Sequence, residues 1–173
     1  AMEKYGSDKP DLRFGMEITN ITEAVKDMDF VVFKSAIENG GSIRALCLKG
    51  GASLGRKPID KLGEFVKTYR AKGLAWIQLK EEGVKSSLAK FLTDEVTENI
   101  VKTIGAETGD AIFIVADKDS AVLQSLGALR LELAKQFDLI KDKNEFNFTW
   151  VTEFPFFEYS EEEERFKACH HPF

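Results

Sequence analysis

The chain has 173 residues, 43% of them hydrophobic and 31% charged, with a net charge of −5. A chain of this size and balance is expected to fold as one soluble domain with its own core, with or without a small appendage. The acidic charge speaks against strong independent nucleic-acid binding, Cys47 and Cys169 make no disulfide framework, and no stretch reads as a signal peptide or membrane span, so a reduced, cytoplasmic setting is expected.

In chain order, residues 5–14 are polar, turn-forming and without periodicity. Thr22 can cap a short helix through Asp27. Phe30 to Ile37 and Ser42 to Leu48 read as strands around Asn39-Gly40-Gly41, a hairpin signal because glycine reaches the positive φ of a tight turn. A glycine-rich loop, Gly50 to Gly55, leads to Pro58, which suits the first turn of a helix. Ile59, Leu62, Phe65, Val66 and Tyr69 then recur at helical spacing, and Gly73 closes that helix. Leu74 to Leu79 reads as a strand, and residues 80–92 show no clear period. Thr93 or Asp94 caps a helix through Ile104. Asp110 to Ala116 is a buried strand, with Ile112 to Val115 apolar on both faces. Asp119 or Ser120 opens the longest helix, whose core stripe is Val122, Leu126, Leu129, Leu133 and Phe137. After a charged linker at 138–143, Phe146 to Glu153 begins a final strand pair around the acidic run Glu161 to Glu164, read as a solvated turn. These mixed periods predict an α+β fold: a two-layer sandwich with helices on one face of a mainly antiparallel sheet.

Four stretches carry possible chemistry. Gly50-x4-Gly55 imitates a phosphate-cradling loop, but Arg56-Lys57 stands where Lys then Ser/Thr would hold phosphate and metal, so a strand-to-helix turn is the simpler reading. Arg56, Lys57, Lys61, Lys67, Arg70 and Lys72 form the most basic segment, and Lys57, Lys61 and Lys72 can share a helix face. That face is either solvated or a sequence-blind phosphate contact. Cys169-His170-His171 has the wrong spacing for metal, because strand neighbours point to opposite faces and the chain has no other histidine; no metal site is expected. On a persisting strand Phe166, Ala168 and His170 share one face, and Lys167, Cys169 and His171 the other. Asp8, Lys9, Asp11 and Arg13 pack opposite charges into one loop, which reads equally as an ion-paired turn or as part of a site.

Tyr5-Gly-Ser-Asp-Lys-Pro-Asp-Leu-Arg13 resembles the segment that bacterial aspartyl-tRNA synthetases carry just before their inserted domain. Residues 43–57, Gly73-Leu-Ala-Trp-Ile77 and Gly127-Ala-Leu-Arg-Leu131 are similar to blocks of that insertion, called GAD because a tRNA-dependent amidotransferase subunit shares it. Trp150-Val-Thr-Glu-Phe-Pro155 and Cys169-His-His-Pro-Phe173 resemble the return into the catalytic domain. The resemblance runs end to end. It implies catalytic-domain stretches at 1–15 and 146–173 around an insertion at 16–145.

The resemblance further implies a parent enzyme that activates aspartate with ATP and magnesium and transfers it to tRNA, most simply as a homodimer. Such chemistry rests on positioning and on cations that stabilise phosphate charge. It places His170 at the aspartate pocket, where an imidazole makes binding pH-sensitive, with His171 as a neighbouring contact. Asp8, Lys9, Asp11 and Arg13 would lie near the entrance to the insertion, and Arg56, Lys57, Lys61 and Lys72 would brush the tRNA acceptor arm. The arginine motifs that grip ATP and the anticodon-binding barrel are not in the sequence, so the chain is expected to be a fragment, inactive alone and without a cofactor of its own. Two alternatives stand beside it: a tRNA-recognition domain of the amidotransferase subunit, which the His170-His171-Pro172-Phe173 ending disfavours, and a small nucleotide-binding domain using Gly50 to Gly55.

Overall fold

Strand β5 (Ala111–Asp117) organises the fold, because all seven of its residues are buried. A strand apolar on both faces needs cover on both. The computed structural model describes residues 1–160 and 162–170. In it β5 lies at the centre of a five-stranded sheet in the order β1-β2-β5-β3-β4, formed with β1 (Thr19–Asn20), β2 (Ser42–Leu48), β3 (Ala75–Lys80) and β4 (Gly83–Ser86). Every pairing is antiparallel: Leu46 faces Phe113 on one side of β5 and Trp76 faces it on the other.

Alternation along these strands divides the core. Leu46, Leu48, Trp76, Phe113 and Val115 point to one face, where they meet Ile59, Leu62 and Val66 of α4 (Arg56–Lys67) and Val122, Leu126, Leu129 and Leu133 of α6 (Asp119–Gln136). Ile43, Ala45, Ile77, Ile112 and Ile114 point to the other, against Val25 of α2 (Thr22–Val25), Phe33 of α3 (Val31–Glu38) and Ile100 of α5 (Asp94–Ile104). The α+β class and the antiparallel sheet are as expected. The helices, however, cover both faces rather than one, so the sheet is the middle of three layers. The doubly apolar β5 requires this.

Several elements differ from the sequence reading. Val31–Glu38 is a helix, not the first arm of a hairpin. Its β-branched start suggests a strand, yet Val31 is 74% exposed, while Phe30, Phe33 and Ile37 recur at helical spacing and pack inward. Gly40 and Gly41 return the chain to β2. A Cβ on Gly41 would stand 2.2 Å from the Asp117 carbonyl oxygen, so only glycine allows that close return. The hairpin is instead β3–β4: β3 is the strand expected from Leu74 to Leu79, and β4 lies in the stretch 80–92 whose period was unclear. Helix α4 ends at Lys67, where the Thr68 hydroxyl donates to the Phe65 carbonyl and Arg70, at φ 71, turns the chain away before Gly73. The final strand pair begins later than expected, as β6 (Phe157–Ser160) with β7 (Arg165–Ala168). Residues 146–155 form no ladder among the described residues. The predicted caps of α5 and α6 are close to the observed starts: the Thr93 hydroxyl accepts from the Val96 N–H at 3.2 Å.

Candidate functional site

The candidate residues lie toward the two ends of the chain. After the short helix α1 (Met2–Tyr5), residues 6–17 run along α6, and His170 stands just beyond β7. Lys9 donates to the Asp8 carboxylate at 3.1 Å and is the main cause of its lowered pKa. The Asp11 hydrogen bonds raise the pKa of Arg13. The His170 ring is exposed and packs edge-on against Phe154, with centroids 4.7 Å apart.

Within the loop, Asp11 and Arg13 are committed to one another. The Arg13 guanidinium donates to both Asp11 oxygens, at 2.9 and 2.7 Å, and its N–H donates to one of them at 3.1 Å, which holds the Asp11 carboxyl below its ordinary range. Such a forked pair is rigid, so it shapes the loop rather than waiting for a ligand. Asp8 and Lys9 thus stand together as an anion beside a cation, and His170 is an exposed imidazole packed on Phe154. His171 lies outside the described residues.

The basic segment divides differently from the expectation. Arg56 pairs with Asp60 at 2.7 Å, Lys67 with Glu64 at 2.7 Å, and Lys72 with the nearly buried Asp117 at 3.2 Å. Lys72 also lies beyond the end of α4, so it does not share a helix face with Lys57 and Lys61. Lys57 and Lys61, one turn apart and exposed, have no ion pair among the described residues.

The glycine-rich loop is closed on itself. Gly50 donates its N–H to Asp110 at 3.0 Å and Ala52 donates to the Gly109 carbonyl at 2.9 Å. A phosphate cradle needs such N–H groups free, and here a buried carboxylate occupies the Gly50 N–H and a carbonyl the Ala52 N–H. Burial alone would raise the Asp110 pKa. It is outweighed by hydrogen bonds from Lys49 at 2.9 Å and from the N–H groups of Glu107 and Gly50, which leave the carboxyl below its usual range. Cys47 beside it is pushed up to about 12, by burial first and then by the Asp110 charge, and is inert at neutral pH. Among the described residues no three His, Cys, Asp or Glu side chains come together as metal ligands would.

Comparison with known proteins decides the family. The GAD domain profile matches residues 33–126, more than half of the chain. The chain belongs to the GAD domain family. The GAD chain is 87% identical over its full length to the aspartate–tRNA ligases of Clostridium botulinum and Clostridium beijerinckii, and 69% identical to that of Clostridium perfringens. It spans 29% of the length of each of these relatives. Among solved structures, a hypothetical protein from Pyrococcus horikoshii OT3 shows a slight likeness, with a TM-score of 0.41 and 21% identity over 57% of this chain and 53% of that one. No helix among the described residues is long and apolar enough to cross a membrane.

One residue of consequence was not singled out from the sequence. Arg130 sits within the apolar stripe of α6, one turn after Leu126 and one turn before Ala134, and is 1% exposed. A charge interrupting a buried stripe is the signal that could have found it.

Proposed function

We propose that this chain is the GAD insertion of a bacterial aspartate–tRNA ligase, at residues 16–145, with flanking stretches of its catalytic domain at 1–15 and 146–173. The observation that carries this reading is 87% identity to such ligases across all 173 residues. In the ligase the carboxylate of aspartate attacks the α-phosphate of ATP, and the aminoacyl group then passes to tRNA in the cytoplasm. Magnesium, when bound with ATP, neutralises phosphate charge. His170 orients the aspartate by hydrogen bonding, with His171 beside it. Asp8 and Lys9 offer opposite charges at the same end, and the Asp11–Arg13 pair keeps their loop in shape. The ligase works as a homodimer, and its other domains cover this segment's open aromatic surface.

The chain alone is inactive on this reading, because the cations that stabilise the transferring phosphate come from elsewhere in the ligase. Aspartate-dependent ATP–pyrophosphate exchange and tRNA charging test it: the full-length ligase performs both, and the 173-residue chain performs neither. Activity in the chain alone overturns the reading. A tRNA contact along Arg56, Lys57, Lys61 and Lys72 would fall mainly on Lys57 and Lys61, which have no competing carboxylate. Replacing both with glutamine in the full-length ligase should weaken tRNA binding and lower the salt slope by about two. An unchanged slope removes the contact.

A further inference from the structure

Arg130 is more than a core residue of α6. A guanidinium this deep persists only where hydrogen bonds replace its water. Its Nε donates to the Met16 carbonyl at 2.8 Å, and one terminal nitrogen donates to the carbonyls of Asp11 at 2.6 Å and Gly15 at 2.5 Å. The rings of Phe14 and Tyr5 lie against it, at 4.1 and 4.9 Å. No carboxylate is within ion-pair distance of it among the described residues. All five partners belong to residues 5–16, none to the sheet, and only Tyr5, the last residue of α1, to another helix.

The backbone is bent to suit this cation. Gly15 at φ 63 and Met16 at φ 56 are both left-handed, a conformation that is costly for methionine, and both carbonyls reach the same guanidinium. One turn earlier on the same helix face, Gly127 meets Gly6 backbone to backbone. A Cβ on Gly6 would stand 2.2 Å from the Leu123 carbonyl oxygen, and one on Gly127 would stand 2.6 Å from that of Gly6. The loop is therefore held to α6 at two points. It carries Asp8, paired with Lys9, and Asp11, whose carbonyl goes to Arg130 while its carboxylate grips Arg13.

We propose that Arg130 is a positioning residue: through the carbonyls of Asp11, Gly15 and Met16 it sets the placement of the Asp8–Arg13 loop, and with it the aspartate affinity of the ligase. The proposal rests on the ligase reading given above. An apolar side chain of similar length would fill the same space in the core. Only a fork of N–H donors can hold three carbonyls at once.

Two arms test it. In the 173-residue chain, trypsin can cut between Arg13 and Phe14 only when the loop lifts from α6. R130M should speed that cut roughly tenfold or more, because the lost bonds are charge-assisted and cleavage follows the open population. Cutting at Lys102, on α5, should not change. R130K keeps the cation but not the fork, and should fall between the two. Equal rates in R130M and the unaltered chain overturn the proposal. In the full-length ligase, R130M should raise KM for aspartate about tenfold in ATP–pyrophosphate exchange, with kcat and KM for ATP little changed and partial recovery in R130K. A loss of active enzyme with an unaltered aspartate KM marks a merely structural residue and also overturns the proposal. If R130M does not fold, R130K carries both arms. If the unaltered ligase shows no exchange with aspartate, the ligase reading falls, and the trypsin arm still decides whether Arg130 holds the loop.

Discussion

The sheet with its two helical layers and the C-terminal stretch 144–170 use the same residue types to opposite effect. In the first, Phe113, Ile43 and Leu126 are fully covered by neighbours within the chain. In the second, Phe148 is 95% exposed and Trp150 93%, with Phe146, Phe157 and Phe166 also open. Burial of apolar surface stabilises only where a complementary surface exists. The core has found its partners inside these residues. The aromatic stretch has not, and on the ligase reading its partners belong to the catalytic domain.

Each region holds one cysteine, and the largest predicted contrast lies there. Burial and the Asp110 charge push Cys47 to about 12, so its thiolate is about a thousandfold rarer at neutral pH than that of an unperturbed cysteine. Alkylation followed by peptide mass spectrometry should label Cys169 quickly and Cys47 only on unfolding. Comparable rates would break the contrast. Next, Phe113→Ala should cost about 3–5 kcal/mol in urea unfolding, since Phe113 sits at the centre of the sheet between Leu46 and Trp76. Asp110→Asn should cost about 2 kcal/mol, through charge-assisted bonds to two backbone N–H groups; the exposed Lys49 adds little. The folded pKa of Asp110 is lowered, so its contribution is present above the unfolded carboxyl value and is lost as pH falls through the folded one. Urea midpoints measured from pH 6 down to pH 2 should therefore fall less steeply in Asp110→Asn. The smallest effect belongs to the open stretch: Trp150→Ser should shift stability by no more than about 0.5 kcal/mol, while reducing concentration-dependent association in sedimentation.

What the sequence disclosed followed from how local each signal is. The apolar run of β5, the α6 stripe and the Thr93 cap are patterns within one element, and each was readable. Val31 and Val32 misled because branched side chains favour strands while the inward stripe of α3 is short, with Phe33 its one fully buried member. Hairpin β3–β4 was hidden because its outer strand is exposed and has no apolar alternation. At the site, the pairing of Asp11 with Arg13 was suggested by adjacency. The role of Arg130 was not, because its partners are remote in sequence and include backbone carbonyls that no residue pattern advertises.

The distance in sequence between Arg130 and the loop it holds has a consequence during synthesis. The Gly15 carbonyl leaves the ribosome 115 residues before its cation. At bacterial elongation rates the nascent loop stays without its anchor for about 6–20 s. Sheet closure must wait as well, since β5, the strand between β2 and β3, is made last of the five. The loop that carries Asp8 is thus translated well before Arg130 and fixed in place only after it, a window in which cellular proteases meet it unguarded.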